Sequence, residues 1–140
     1  MSAQSLANLS LVLQAIIFSV LALAVYARLK HSHVRHAILM GVAIVLHTVA
    51  IAAIMIPSLL SMGNLFHNLL TRLAFVTLTH ATIGSLVELM GVWLVASWLF
   101  NTASVEKCFK RKNVMRVTVA LWLAELILGV YVYMMLYLAA

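Results

Sequence analysis

Histidine and glutamate side chains occur inside long apolar stretches of this sequence, where ionisable residues are rare. His47, His80, Glu88 and Glu125 all stand among hydrophobic neighbours. An ionisable side chain is costly in such surroundings, so each of these residues is a candidate for binding or proton chemistry. Imidazole nitrogens bind haem iron and other metals, and carboxyl groups bind metals or carry protons.

The four residues lie in apolar stretches that are each long enough to cross a membrane. The 140-residue chain is 66% hydrophobic and 9% charged, whereas a soluble domain has about 45–50% apolar and about 25% charged residues. About 20 apolar residues span the hydrocarbon layer. We predict an all-α integral membrane protein, a single domain over residues 1–140. Its up-down-up-down four-helix bundle has helices at about 4–29, 34–61, 66–102 and 111–139.

The positive charges predict how the chain is oriented. Nine Lys and Arg residues outnumber three acidic residues, for a net charge of +6. Most cations fall within 28–35 and 107–116, between apolar stretches, which is typical of cytoplasmic loops and not of a nucleic-acid-binding surface. We therefore predict a multi-pass protein of the cytoplasmic (inner) membrane, embedded in the lipid bilayer, with both termini on the outer side and no nucleic-acid partner.

His47 and His80 are predicted to lie at one depth if the second and third helices are antiparallel around a turn at Gly63. Each lies about 16 residues from that turn, or about 25 Å along a helix. Two imidazoles that face each other in an apolar bundle could hold haem b as its axial ligands. The alternative is that the two histidines make hydrogen bonds that join the helices.

Three further residues are candidates for the same site. His36 shares a helix face with His47 about three turns away, so it could ligate a second haem in addition to the one expected. His67, just after the turn, is another candidate ligand. Arg72 could pair with a haem propionate or reach the membrane interface. Gly84, one turn after His80, would leave room for a flat ring.

Glu125 and Glu88 admit several roles. Glu125 could hydrogen-bond the second nitrogen of a ligand histidine. The two carboxyl groups could instead form a proton relay. With His47 and His80, Glu125 could complete a non-haem metal site of two histidines and one carboxylate. A neutral carboxyl group that hydrogen-bonds a neighbouring helix is the simplest alternative.

Three stretches carry a resemblance to a known family: His36–Met40, Leu78–Ile83 and Trp122–Tyr137. They resemble a domain-of-unknown-function family of small four-helix membrane proteins that is linked to haem–copper oxidase assembly. His36 and His80 are the residues that match histidines of that family. The resemblance implies that the protein works in a respiratory chain and binds a metal or haem. The paired helix histidines also look like those of membrane b-type cytochromes.

These observations lead to one expected function and two alternatives. We expect a membrane b-type haem protein in respiratory electron transfer, with a respiratory complex or redox protein as its partner. The first alternative is a non-catalytic assembly factor or accessory subunit of a haem–copper oxidase or another respiratory complex, and the second is the non-haem metal site. An electron carrier or accessory subunit is favoured over a stand-alone enzyme, and a homo-oligomer is compatible with the sequence.

Overall fold

Four long helices make up the protein in the computed structural model, which describes residues 3–61, 71–100 and 110–138. Helix α1 is Ala3–Leu29. Helix α2 begins as His33–Ala50, widens to a π-helix at Ile51–Met55 and ends as Ile56–Ser61. Helix α3 is Arg72–Leu99 and helix α4 is Lys112–Tyr137. All four are long and apolar enough to cross a membrane, which confirms the predicted all-α class.

The π-helical part of α2 has a cause in the sequence. Pro57 lies just after Ile51–Met55. Proline lacks an N–H group, and its ring clashes with the carbonyl group four residues earlier, here that of Ala53. A π-helical turn relieves this conflict locally, so that the helix continues to Ser61 without ending at the proline.

Helix α3 begins later than the sequence predicted. Thr71 has extended backbone angles, and its side-chain oxygen accepts a hydrogen bond from the Ala74 N–H group at 3.2 Å. Threonine in this position satisfies a backbone donor that the first turn leaves free, which fixes the helix start. The described helix therefore starts at Arg72, and the predicted start at about residue 66 lies outside the described residues. The predicted turn at Gly63 and the candidate ligand His67 lie outside the described residues.

Two pairs of helices pack against each other to form the bundle. Helices α1 and α2 pack closely, and so do α3 and α4, while α2 and α3 join the two pairs. His36 Nδ1 hydrogen-bonds the Ala24 carbonyl oxygen at 2.9 Å across the first pair. Across the second pair, the Arg111 guanidinium lies 4.8 Å from the centre of the Trp93 ring. The core between the pairs contains the buried side chains of Ile17, Leu21, Ile44, Val87 and Trp122.

Candidate functional site

A histidine and two glutamates from three helices meet in the middle of the bundle. His47 Nδ1 lies 2.9 Å from Glu88 Oε2, and His47 Nε2 lies 3.3 Å from Glu125 Oε1. The Thr48 hydroxyl donates to Glu88 Oε1 and thus connects to the same carboxyl group. The result is a continuous chain of hydrogen bonds, Thr48–Glu88–His47–Glu125, which we call the carboxyl–imidazole chain.

The carboxyl–imidazole chain is closed off from its surroundings at one end and partly open at the other. His47 and Glu125 have no exposed surface, and the Glu88 side chain is 16% exposed. The Trp122 ring covers His47, with ring centres 5.1 Å apart and planes tilted by 52°. Because a low-dielectric environment strengthens hydrogen bonds between polar groups, these contacts are strong constraints on the relative positions of α2, α3 and α4.

A glycine on α3 makes room for Glu125. A Cβ atom at Gly84 would lie 3.2 Å from Glu125 Oε1, closer than most Cβ contacts. The space that the sequence analysis assigned to a flat ring is therefore filled by this carboxyl group. The reason is that α4 approaches α3 closely at this level, which brings the Glu125 side chain into the gap.

His80 lies beside the carboxyl–imidazole chain but is not part of it. Its Nδ1 is 3.1 Å from the backbone carbonyl oxygen of Glu125, so Nδ1 carries the hydrogen of that bond. The ring lies against α4 at Gly129, where an added Cβ atom would come within 3.1 Å of its Cε1. Nε2 is then the nitrogen with a lone pair, and it makes no hydrogen bond to a described residue.

The expected arrangement of two facing imidazoles is replaced by a different one. On α3 the residue that contacts His47 is Glu88, which lies two turns beyond His80. Both nitrogens of His47 are engaged by carboxyl groups, so neither is available as an iron ligand in this arrangement. Glu125 touches both histidines, one through its side chain and the other through its backbone.

The structure does not assemble the predicted non-haem site. Within the described residues, no group of three or more His, Cys, Asp or Glu side chains is placed to hold a metal ion. The two carboxyl groups lie at different nitrogens of the His47 ring, so their oxygens do not converge on one point. His80 presents a nitrogen to the Glu125 backbone, not to the carboxyl group.

A cavity of about 810 Å³ lies next to this cluster, between all four helices. It occupies the half of the bundle that contains the start of α1 and the end of α4, and apolar side chains form most of its wall. His80, Gly84 and Glu125 are at its inner end. Pockets of about 300–1,000 Å³ with a few polar groups are typical of small-molecule sites.

The remaining predicted site residues lie away from the cluster. His36 bonds to the Ala24 carbonyl group near the start of α2. Arg72 is exposed at the start of α3 and is not among the described residues that line the cavity. Neither residue is in contact with His47 or His80 in the described hydrogen-bond network.

Sequence reasoning gave no specific role to four polar or aromatic residues at or near the site. Thr48 follows His47 directly, and Trp122 precedes Glu125 by about one turn, so helical spacing could have placed both near the histidine. Gln14 and Thr77 line the cavity. Their signal was weak in the sequence because a threonine in a membrane helix often bonds its own backbone and a glutamine often bonds a neighbouring helix.

Comparison with family models, curated proteins and solved structures finds no match to this chain. The resemblance to the four-helix family therefore stays a prediction, and the geometry of the site is what bears on function.

Proposed function

We propose that this chain is a multi-pass membrane protein that transfers protons through the carboxyl–imidazole chain. The observation that carries the proposal is the unbroken contact of Glu88, His47 and Glu125, three titratable groups on three helices. Ionisable residues inside a membrane bundle are rare, and they commonly mark ion pathways or proton relays.

The imidazole ring can pass one proton from one carboxyl group to the other without rotating. A protonated Glu88 donates its hydrogen to His47 Nδ1, which breaks the O–H bond and forms an N–H bond. The Nε2–H group of His47 then donates its proton to Glu125 Oε1. One proton thereby crosses from α3 to α4 and leaves the His47 hydrogen on Nδ1. The hydrogen must return to Nε2, by rotation of the ring or exchange between the two nitrogens, before the next proton can cross.

Charge also favours proton uptake at this cluster. With both carboxyl groups ionised and His47 neutral, the cluster is dianionic. One added proton makes it monoanionic, and a second makes it neutral. Because buried uncompensated charge is costly, each added proton lowers the electrostatic cost of burying the cluster.

The two ends of the carboxyl–imidazole chain have different surroundings. Glu88 is partly exposed between α2 and α3, next to the exposed Thr48. Glu125 lies on the wall of the cavity, and its Oε2 atom has no hydrogen-bond partner among the described residues. A proton delivered to Oε1 can leave towards the cavity from the position of Oε2 once the carboxyl group has rotated.

Proton flux through proteoliposomes tests the proposal. Purified protein is reconstituted with a pH indicator inside the vesicles, and proton entry is driven by a potassium diffusion potential. We expect Glu125→Gln and Glu88→Gln to lower the protein-dependent flux by about tenfold or more, since each removes a proton acceptor. His36→Gln is the matched control, because His36 bonds a backbone carbonyl outside the relay, and its flux should equal that of the wild type.

Two outcomes would refute the proposal: no flux above that of protein-free vesicles, or wild-type flux in both glutamine variants. Gel filtration and circular dichroism of each variant separate a blocked relay from a misfolded chain. As a second readout, infrared spectroscopy should show the C=O band of a protonated carboxyl group in the wild type, and this band should weaken in Glu125→Gln.

Haem-based electron transfer and the assembly or accessory role stay predictions. Binding of one haem by both His47 and His80 would require the hydrogen bonds of His47 to break and the Glu125 side chain to move. The cytoplasmic membrane location, the outer position of both termini and a respiratory partner are likewise proposals that rest on the sequence.

A further inference from the structure

We infer that the cavity binds a lipid-soluble molecule with an uncharged carbonyl- or hydroxyl-bearing head and an apolar tail, of the isoprenoid quinone class. This binding function goes beyond the proposed proton transfer and does not depend on it. The inference rests on three observations: the shape and opening of the cavity, its unpaired polar atoms and their depth in the bundle.

The cavity opens sideways at the level of the apolar helices. Phe18, Ile56 and Ile127 line it and are also exposed on the outer surface of the bundle. In a membrane these side chains face acyl chains, so a ligand can enter from the lipid. Because the wall is mainly apolar, the part of the ligand that fills most of the volume must be apolar too.

Polar atoms without partners mark where a ligand head would bind. Within the described residues, both amide atoms of Gln14, the Thr77 hydroxyl and Glu125 Oε2 are buried without a hydrogen bond. All three residues line the cavity. Buried polar groups are nearly always hydrogen-bonded, so a cluster of unpaired ones beside a cavity indicates a missing partner.

Thr77 is the clearest of these unpaired groups, because other hydroxyl residues on the same helix donate a hydrogen bond to their own backbone and Thr77 does not. Thr79 donates to the Phe75 carbonyl group at 2.8 Å, and Ser85 donates to that of Ala81 at 2.8 Å. Thr77 makes no such bond, although it is only 8% exposed. Its hydroxyl group is therefore available to a ligand.

The depth and number of the polar groups select the class of ligand. Glu125 lies 12 residues before the end of α4 at Tyr137, or about 18 Å along the helix. Gln14 lies 11 residues after the start of α1, or about 16 Å, whereas Thr77 lies only five residues after the start of α3, or about 8 Å. A phospholipid or fatty-acid head is charged. To bind here, it would have to leave the bilayer surface and approach the Glu125 carboxyl group, which is unfavourable. A quinone head is uncharged, and its carbonyl oxygens can accept hydrogen bonds from the Gln14 amide on α1 and the Thr77 hydroxyl on α3.

Binding of decylubiquinone to the protein in nanodiscs tests the inference. Bound quinone is measured by quenching of tryptophan fluorescence and by quinone retained after gel filtration, against empty nanodiscs. We expect saturable binding that weakens roughly five- to tenfold in Thr77→Val and in Gln14→Leu, the loss typical of one hydrogen bond. Thr79→Val makes the same chemical change at a half-buried threonine whose hydroxyl bonds the Phe75 carbonyl group of its own helix, and it should bind as the wild type does.

Several results would overturn the inference. The inference fails if quinone only partitions into the lipid without saturation. It also fails if quinone binding is unchanged in both Thr77→Val and Gln14→Leu. Gln14→Leu tests the same cavity from a different helix if Thr77→Val does not fold. Palmitate or haemin that displaces the quinone and binds more tightly would assign the cavity to another class, and haemin binding would be visible as a Soret band. Proton flux that fails while quinone binds would refute the proposed relay alone.

Discussion

His47 holds together three helices through its two ring nitrogens. One nitrogen contacts Glu88 on α3, and the other contacts Glu125 on α4. Removal of one partner from a buried polar pair is far more costly than the net stability of the pair, because the other partner is left uncompensated. At the scale of single residues, the stability of this protein is therefore most sensitive at His47.

The substitution His47→Ala tests this statement. We expect it to lower the free energy of unfolding by about 3–5 kcal/mol, since two carboxyl groups lose their shared partner. His36→Ala removes a histidine that makes one bond to a backbone carbonyl group, and we expect a loss of about 1 kcal/mol. Equilibrium unfolding in mixed micelles measures both, and an equal loss in the two variants would contradict the central role of His47.

A glycine on α3 allows this helix to pack closely against α2. Gly91 on α3 faces Ile44 on α2, and a Cβ atom there would come within 2.1 Å of Ile44 Cδ1. Small residues at helix contacts let membrane helices pack closely. The same contact helps to place α2 and α3 so that Glu88 reaches His47, which lies almost one turn beyond Ile44.

A methyl group at Gly91 should push α2 and α3 apart or displace Ile44. We expect Gly91→Ala to destabilise the protein by about 1–3 kcal/mol, as overpacking of a core does. Gly41→Ala is the matched control, because its Cβ atom would meet only Val95 Cγ1 at 4.0 Å. The control should be neutral or slightly stabilising, since alanine is the better helix former. Thermal unfolding in detergent measures both variants, and equal midpoints would contradict the close contact.

On the scale of the whole molecule, four apolar helices surround a polar centre and an adjoining cavity. The apolar outer surface suits lipid, and the buried carboxyl–imidazole chain occupies the middle of the bundle. The basic loops predict which side faces the cytoplasm, and that orientation decides from which side a proton would reach the cavity.

The single cysteine offers a direct test of orientation. Cys108 belongs to the basic segment between the third and fourth apolar stretches. We expect a membrane-impermeant maleimide to label it in inverted membrane vesicles but not in right-side-out vesicles, because basic loops stay in the cytoplasm. A Cys108→Ser variant gives the background. Labelling from the outer side would reverse the predicted positions of both termini.

The sequence by itself determined the number of helices and the identity of the polar residues inside them. Apolar runs of about 20 residues predict helices that cross a membrane, because they match the thickness of the hydrocarbon layer and an α-helix satisfies its backbone groups within its own segment. His47, His80, Glu88 and Glu125 were visible as candidates for the same reason, since polar residues stand out against an apolar background.

Only the tertiary structure decided which of these residues meet. Counting from the turn at Gly63 paired His47 with His80, but the structure pairs His47 with Glu88, two turns further along α3. The count assumed that both helices continue regularly to the turn, whereas α2 contains a π-helical turn before Pro57 and α3 begins only after Thr71. Register and rotation of packed helices depend on contacts across the bundle, such as Gly84 with Glu125, and local sequence does not fix them.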